Sequence, residues 1–184
     1  MKKLFRFLVV AALACFFAVP AMSRAEAAKV AVLPLINLEE EENNANAIFM
    51  KQAVEYFKYP SYELVGDEVL EPILEKENYK AAGKKGPNVS MLKRIMTESK
   101  ADIIIMMRLT ELEEDSDNRG KEMLQKLDIE ADVMSVNAFT NKVYSQKIDK
   151  EDTIEYALVV RSDWKHDEFA KICRKTFKDI AKGK

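Results

Sequence analysis

Ala101-Asp102-Ile103-Ile104-Ile105-Met106-Met107-Arg108-Leu109 is the stretch whose reading decides the fold. It is short for a helix and apolar on both alternating sides, the pattern of a strand covered from above and below. Ile103, Ile105, Met107 and Leu109 fall on one face, Ile104 and Met106 on the other. Helices must then cover each side, which makes this strand the centre of an α/β sheet.

The preceding sequence supplies more layers. Residues 29–36, KVAVLPLI, read as a first strand, with Val30 and Val32 on one face and Ala31, Leu33 and Leu35 on the other. A polar connection over 37–46 leads to a helix over about 47–58 with Met50, Val54 and Phe57 inward. Tyr59-Pro60 ends it, because proline disfavours helical geometry in the residue before it. Residues 62–65 form a short second strand. Asp67 is the expected N-cap of a second helix carrying Leu70, Ile73 and Leu74, or that helix begins at Glu71 so that Pro72 lies in its first turn. Residues 80–87 read as a loop. Asn88 or Ser90 caps a third helix to about Ser99, with Leu92, Ile95 and Met96 inward.

Beyond Leu109, residues 111–122 read as a charged connection. In 124–136, Leu127, Ile129, Ala131 and Val133 alternate with Asp128, Glu130 and Asp132, a half-exposed strand. A turn over 138–141 returns the chain as a strand over 142–148. Asp163 caps a last helix, Trp164 to Ala181, with Phe169, Ile172, Cys173, Thr176, Phe177 and Ile180 on one buried stripe. The expected class is α/β, a mixed five-stranded sheet in the order β-α-β-α-α-β-β-β-α with helices on both faces.

With 184 residues, 48% hydrophobic and 33% charged, the chain has the content of one globular domain. Residues 1–27 are set apart: Lys2, Lys3 and Arg6 precede an apolar run from Phe7 to Val19, then Pro20 and small residues, the form of a secretory signal peptide. Cuts after Ala25 or Ala27 fit, the second being preferred, so that 28–184 is the single mature domain. The rival, an uncleaved anchor, has fewer apolar residues than the roughly 20 a spanning helix needs. Ala12-Leu13-Ala14-Cys15 loosely resembles a lipobox, but Phe16, Phe17 and Val19 continue the apolar run where a lipid-modified cysteine is normally followed by a polar tether. With a spanning anchor set aside, a lipid on Cys15 is the one membrane attachment left, and it is the lesser reading. Cys173 is then the sole mature cysteine, so no intrachain disulfide forms, and its place on the last helix is in the core.

Loss of residues 1–27 removes Lys2, Lys3, Arg6, Arg24 and Glu26 from 29 basic and 31 acidic residues, leaving 25 and 30, a net charge of −5. That sign disfavours nucleic acid and an anionic membrane surface.

No motif carries known chemistry. Asp115-Ser116-Asp117-Asn118-Arg119-Gly120 opens like a calcium loop, yet Arg119 stands at position 5 and Lys126 at position 12, where a bidentate glutamate is required. A hairpin turn accounts for it better. Asp128, Glu130 and Asp132 lie about 6.8 Å apart along a strand, too far for all three to chelate one ion. Cross-strand pairs with Arg108 and Lys147 explain them. His166, the only histidine, has no cysteine near it in sequence and no orienting partner, which leaves no basis for zinc or general-base work. Nucleophile-elbow, Walker and dinucleotide-binding motifs are missing as well. No cofactor, metal or catalytic residue is assigned.

Two groups remain as binding candidates. Tyr56, Tyr59 and Tyr62 cluster where the first helix meets the second strand, either as packing around Phe57 or as an exposed aromatic patch. If the strands near Lys29, Tyr62 and Ala101 run parallel, their C-terminal ends gather Glu39, Glu40, Glu41, Glu42, Asp67, Glu68, Glu111, Glu113, Glu114, Asp115 and Asp117 at one acidic edge, with Asp149, Glu151 and Asp152 brought there by the last strands and Asp163, Asp167 and Glu168 by the start of the last helix. Lys58, Lys80, Lys84, Lys85, Lys100 and Lys142 then lie at the opposite edge. Such an acidic edge suits a basic partner segment or divalent cations, against a background in which loop charges simply solvate.

The runs Val30-Ala31-Val32-Leu33-Pro34-Leu35, Tyr62-Glu63-Leu64-Val65 and Ala101-Asp102-Ile103-Ile104-Ile105, with the later Asp132-Val133 and Asn141-Lys142-Val143-Tyr144, resemble a group of bacterial envelope domains. These include the N-terminal domain of TolB, the curli secretion lipoprotein CsgG and the penicillin-binding-protein activator LpoB. Met107 and Asn141 stand where such domains often place glycine. The resemblance covers most of 29–148 and implies a mixed sheet flanked by helices, with a non-enzymatic role in envelope assembly or regulation; no site residue carries over. The expectation is an exported protein, periplasmic or extracellular, that binds another envelope protein without catalysis. A small-ligand-binding protein or a hydrolase, its site assembled from distant residues, is the alternative. No oligomeric state is assigned.

Overall fold

The expected central strand forms, and it runs well past its apolar stretch. The computed structural model describes residues 26–38, 44–86, 88–118, 123–156 and 163–183. In chain order the elements are β1 (Ala28–Val32), β2 (Ile36–Asn37), α1 (Ala45–Tyr56), β3 (Tyr62–Leu64), α2 (Asp67–Lys76), α3 (Tyr79–Lys84), α4 (Val89–Ser99), β4 (Ile103–Asn118), β5 (Met123–Asn137), β6 (Lys142–Tyr156) and α5 (Trp164–Ala181). The sheet is mixed and six-stranded, in the order β3-β1-β4-β5-β6, with the two-residue β2 beside β4. β1 runs parallel to both β3 and β4, while β4, β5 and β6 form an antiparallel meander.

Both faces of β4 are filled as their periodicity demands. Ile103, Ile105, Met107 and Leu109 join Val30 and Val32 beneath α1 and α5. Ile104 and Met106 join Ala31 and Leu33 beneath α2, α3 and α4. On α5, Phe169, Cys173, Thr176, Phe177 and Ile180 are buried, as the spacing requires. Asn88 caps α4, its side-chain oxygen accepting the Met91 N–H at 3.2 Å. Asn141 adopts φ 51°, the left-handed turn conformation that asparagine tolerates better than most residues.

Several expectations fail locally. The first strand breaks at Pro34, so β1 and β2 are separate, and Leu35 turns to the face opposite the one expected, its N–H donating to Asn46 Oδ1 at 2.9 Å. This break adds the sixth strand. The inward stripe of α1 is Ala45, Phe49, Gln52 and Ala53, while Val54 is 56% exposed. Small alanines bring α1 close to α5, with the Phe49 and Phe177 rings 5.4 Å apart. Gly66, not Asp67, occupies the N-cap of α2, and Pro72 lies inside that helix. The expected loop after residue 80 contains α3, which sits so near the sheet that a Cβ on Gly83 would come within 2.8 Å of Ile36. Asp163 stands at the N-cap position of α5 without a side-chain cap bond. Residues 111–118 are strand rather than connection, because pairing with β5 overrides their weak β propensity.

Cys173 is fully buried, and burial pushes its thiol up to about 12. A thiol reagent is therefore expected to leave Cys173 unmodified in the native protein and to react with it fully in denaturant. Rapid labelling of native Cys173 would contradict this packing.

Candidate functional site

Beyond Leu109 the strands β4, β5 and β6 continue as an arm, its β4 portion about 30 Å long at 3.4 Å per residue. β2 stops at Asn37 opposite Leu109, so β4 has no partner from β1 or β2 past that point. A register shift at Thr110 accompanies the exit, with Thr110 Oγ1 donating to Glu130 O at 3.1 Å. The extra residue exchanges the faces of everything that follows it in β4.

The shift sorts the acidic residues. Glu111, Glu113, Asp115 and Asp117 share the face of Arg108, while Leu112 and Glu114 turn to the core side. Antiparallel register then sets like charges side by side: Glu111 pairs with Glu130 and Glu130 with Asp149, and Glu113 pairs with Asp128 and Asp128 with Glu151. A concavity of about 360 Å³ lies over this second row, lined by Glu111, Glu113, Asp115, Lys126, Asp128, Glu151 and Asp152 among others. Relief at the margins comes from Arg108, whose guanidinium grips Asp132, and from Lys147, 3.6 Å from Glu130. These cross-strand pairs are the ones expected for Asp132 and Glu130; Asp128, for which the same explanation is expected, faces Glu113 and Glu151 instead.

Other candidates are placed elsewhere. Glu114 is not part of this face: its Oε1 accepts from Gln125 Nε2 at 2.8 Å and its Oε2 from the Lys165 N–H at 3.2 Å. It therefore ends α5 electrostatically, in the place the Asp163 side chain leaves open. Glu39, Glu40, Glu41 and Glu42 lie outside the described residues. Tyr56 and Tyr62 pack on Phe57 with ring centroids 5.1 Å away in each case, whereas Tyr59 is 78% exposed, so the three do not form one patch. His166 Nδ1 lies 3.8 Å from Asp163 Oδ1. The polar division by edges holds in part: Lys58, Lys100 and Lys142 lie at the edge where β1 begins, but Lys84 lies at the other end, its carbonyl accepting from Arg108.

Glu168 shows how the core side of the arm is tied down. It is 9% exposed and accepts from Lys150 at 2.6 Å and from Lys171, and these bonds hold its carboxyl below the usual range. A lowered folded pKa gives stability that is present above the unfolded value and lost as pH falls through the folded one. Glu168→Gln is accordingly expected to cost about 1–3 kcal/mol at neutral pH. The gap to the parent protein should close in acid, as pH falls below the ordinary glutamate range and through the lowered folded value; a gap independent of pH would refute the assignment.

A second concavity, about 400 Å³, lies near the C-terminal end of β1 against Pro34, Leu74, Glu75, Asn78, Tyr79 and Lys80. Its buried Tyr79 hydroxyl donates to Pro34 O at 2.9 Å, and burial raises that phenol's pKa. Among the described residues Glu75 is the one carboxylate of its lining, so no pair of carboxylates converges there. Among the described residues no group of three or more His, Cys, Asp and Glu side chains is arranged to hold a metal ion. The acidic face thus offers a field rather than a chelate, suited to several separate cationic groups at strand spacing.

No protein-family model matches the chain, and no curated protein matches it. Among solved structures it is similar to lipoprotein GNA1162 from Neisseria meningitidis, with 14% identity, a TM-score of 0.44, and 84% of this chain and 99% of that one covered. It is also similar to the hypothetical protein CT253 from Chlamydia trachomatis, with 14% identity, a TM-score of 0.46, and coverage of 84% and 94%. The LpoB C-terminal domain from Salmonella enterica matches at 10% identity and a TM-score of 0.37, over 68% of this chain and 83% of that one. These are likenesses of chain path at low identity, and no residue role passes across them.

Proposed function

We propose that the chain is a non-enzymatic exported protein of the bacterial envelope that binds another envelope component by laying a cationic segment of it along the acidic face of the arm. The observation that carries this reading is the row Glu113–Asp128–Glu151, in which like charges lie directly opposite one another on adjacent strands. Such pairs destabilise the folded chain, and an extended cationic partner converts the cost into attraction. The export signal read in residues 1–27 supplies the compartment, and the sequence resemblance to LpoB, TolB and CsgG agrees with an accessory role.

Capture of a lysine-rich peptide by the immobilised protein, followed at rising salt, tests the reading. Binding that weakens steeply with salt supports it. Absence of capture, or reproducible catalytic turnover abolished by one substitution, would overturn it.

A further inference from the structure

β6 is the last strand of the sheet and leaves it with a long open edge. Its 15 residues pair with β5 from Lys142 to Tyr156 without a register shift, and among the described residues no strand lies on its other side. No proline or bulge interrupts it, so along about 50 Å its outward N–H and C=O groups form a template for another strand. The side chains restrict which strand that can be. Lys142, Lys147, Asp149, Lys150, Glu151, Asp152 and Glu155 blunt pairing with an arbitrary sequence and admit one whose charges match in register.

Two neighbouring rows on one face of the sheet reach this edge with opposite sign. Arg108–Asp132–Lys147 alternates in charge and ends on a cation, whereas Glu111–Glu130–Asp149 is acidic throughout and ends on a carboxylate. Lys147 reaches diagonally to Glu130 at 3.6 Å, while Asp149 directly faces Glu130 across the ladder. A cation opposite Asp149 on the open side would complete the acidic row. The strand carries that cation itself, two residues away, which is the arrangement a two-fold axis satisfies.

We infer that the chain forms a two-fold dimer in which β6 pairs antiparallel with β6 of a second copy, the axis passing at Ile148 so that Lys147 of each copy faces Asp149 of the other. Opposed residues in an antiparallel ladder share one backbone orientation, so the axis must pass where a residue faces its own copy. At Lys147, Asp149, Lys150 or Glu151 it would set that charge against itself, and at Gln146 it would oppose Lys142 to Lys150. At Ile148 no charge directly faces its like: Lys147 meets Asp149, Lys150 meets Gln146, Glu151 meets Ser145, Asp152 meets Tyr144 and Lys142 meets Ile154. Each row Arg108–Asp132–Lys147 then continues into Asp149–Glu130–Glu111 of the second copy. Backbone hydrogen bonds hold the two strands together, and the charges select the register. The interface is isologous and closes on itself. It involves no cationic segment on the arm, so it stands or falls apart from the function proposed above.

Every described core side chain lies between Val30 and Ile180, so the chain beginning at Ala28 carries the whole core. Sedimentation equilibrium of that chain is expected to give twice the monomer mass in the micromolar range. Lys147→Glu and Asp149→Lys each bring like charges together twice in one dimer, and each should raise the dissociation constant about tenfold or more. Mixed in equal amounts, the two variants present opposite charges at both contacts and should associate with each other about as tightly as the parent does with itself. A defect of folding is not repaired by mixing. Asp149→Asn, which also relieves the repulsion with Glu130, should weaken the dimer without lowering the melting temperature of the dilute protein. A parent chain that stays monomeric throughout the micromolar range, a larger assembly, a dimer that both reversals leave intact, or reversed variants that fail to associate when mixed overturns the inference.

Discussion

The triple variant Glu113→Gln/Asp128→Asn/Glu151→Gln is expected to melt at a higher temperature than the parent, by about 2–4 °C at low salt, while losing about tenfold or more of its affinity for a lysine-rich peptide. Removing charge from a surface normally changes stability little. Here each side chain faces a like charge directly across the strand, Asp128 on both sides, so neutralisation removes two repulsions in one row. The same change deletes the field that draws a cationic segment. Asp132→Asn is the contrasting case. It breaks the pair with Arg108, whose Nε donates to Asp132 Oδ2 at 3.1 Å, and should destabilise. Differential scanning calorimetry and peptide titration together decide the matter. Stability and affinity falling together in the triple variant would mean that the row is held by favourable contacts and serves structure alone.

Phe177→Ala should give the largest loss of stability, about 3–5 kcal/mol. Phe177 is fully buried where α5 meets α1, and its ring lies 5.4 Å from Phe49, 5.3 Å from Phe57 and 6.5 Å from Tyr56. Truncation opens a cavity that the two helices cannot close, because Ala45 and Ala53 offer no longer side chain to move into it. Denaturant unfolding gives the value directly. A loss under 1 kcal/mol would show that α1 and α5 slide together over the gap, and the packing described for this face would be wrong.

Much of this architecture is legible in the chain. The two faces of residues 103–109, the stripe on α5 and the pairs Arg108–Asp132 and Lys147–Glu130 follow from periodicity and charge, because strands and helices repeat at fixed intervals whatever they pack against. The stripe on α1 is not legible in that way. Met50 and Val54 are larger than the alanines, yet close approach to α5 buries Ala45 and Ala53 beside Phe49, leaving Met50 at the margin of the core and Val54 exposed. Likewise α3 is six residues long and contains a glycine, and its seating on the sheet is a matter of tertiary packing: Tyr79 is buried, and a Cβ on Gly83 would meet Ile36.

The acidic site divides along the same line. Its composition stands in the sequence: carboxylates before and after the turn of a hairpin, and more on the returning strand. Which of them act together does not. Glu113, Glu114 and Asp115 are consecutive and chemically alike, and nothing local separates them. The register shift at Thr110 places Glu113 and Asp115 on the open face with Asp128 and Glu151, and turns Glu114 inward to the first turn of α5. A side-chain period of two means that one inserted residue exchanges the faces, and where that residue is inserted is decided by the partner strand, not by the strand's own sequence.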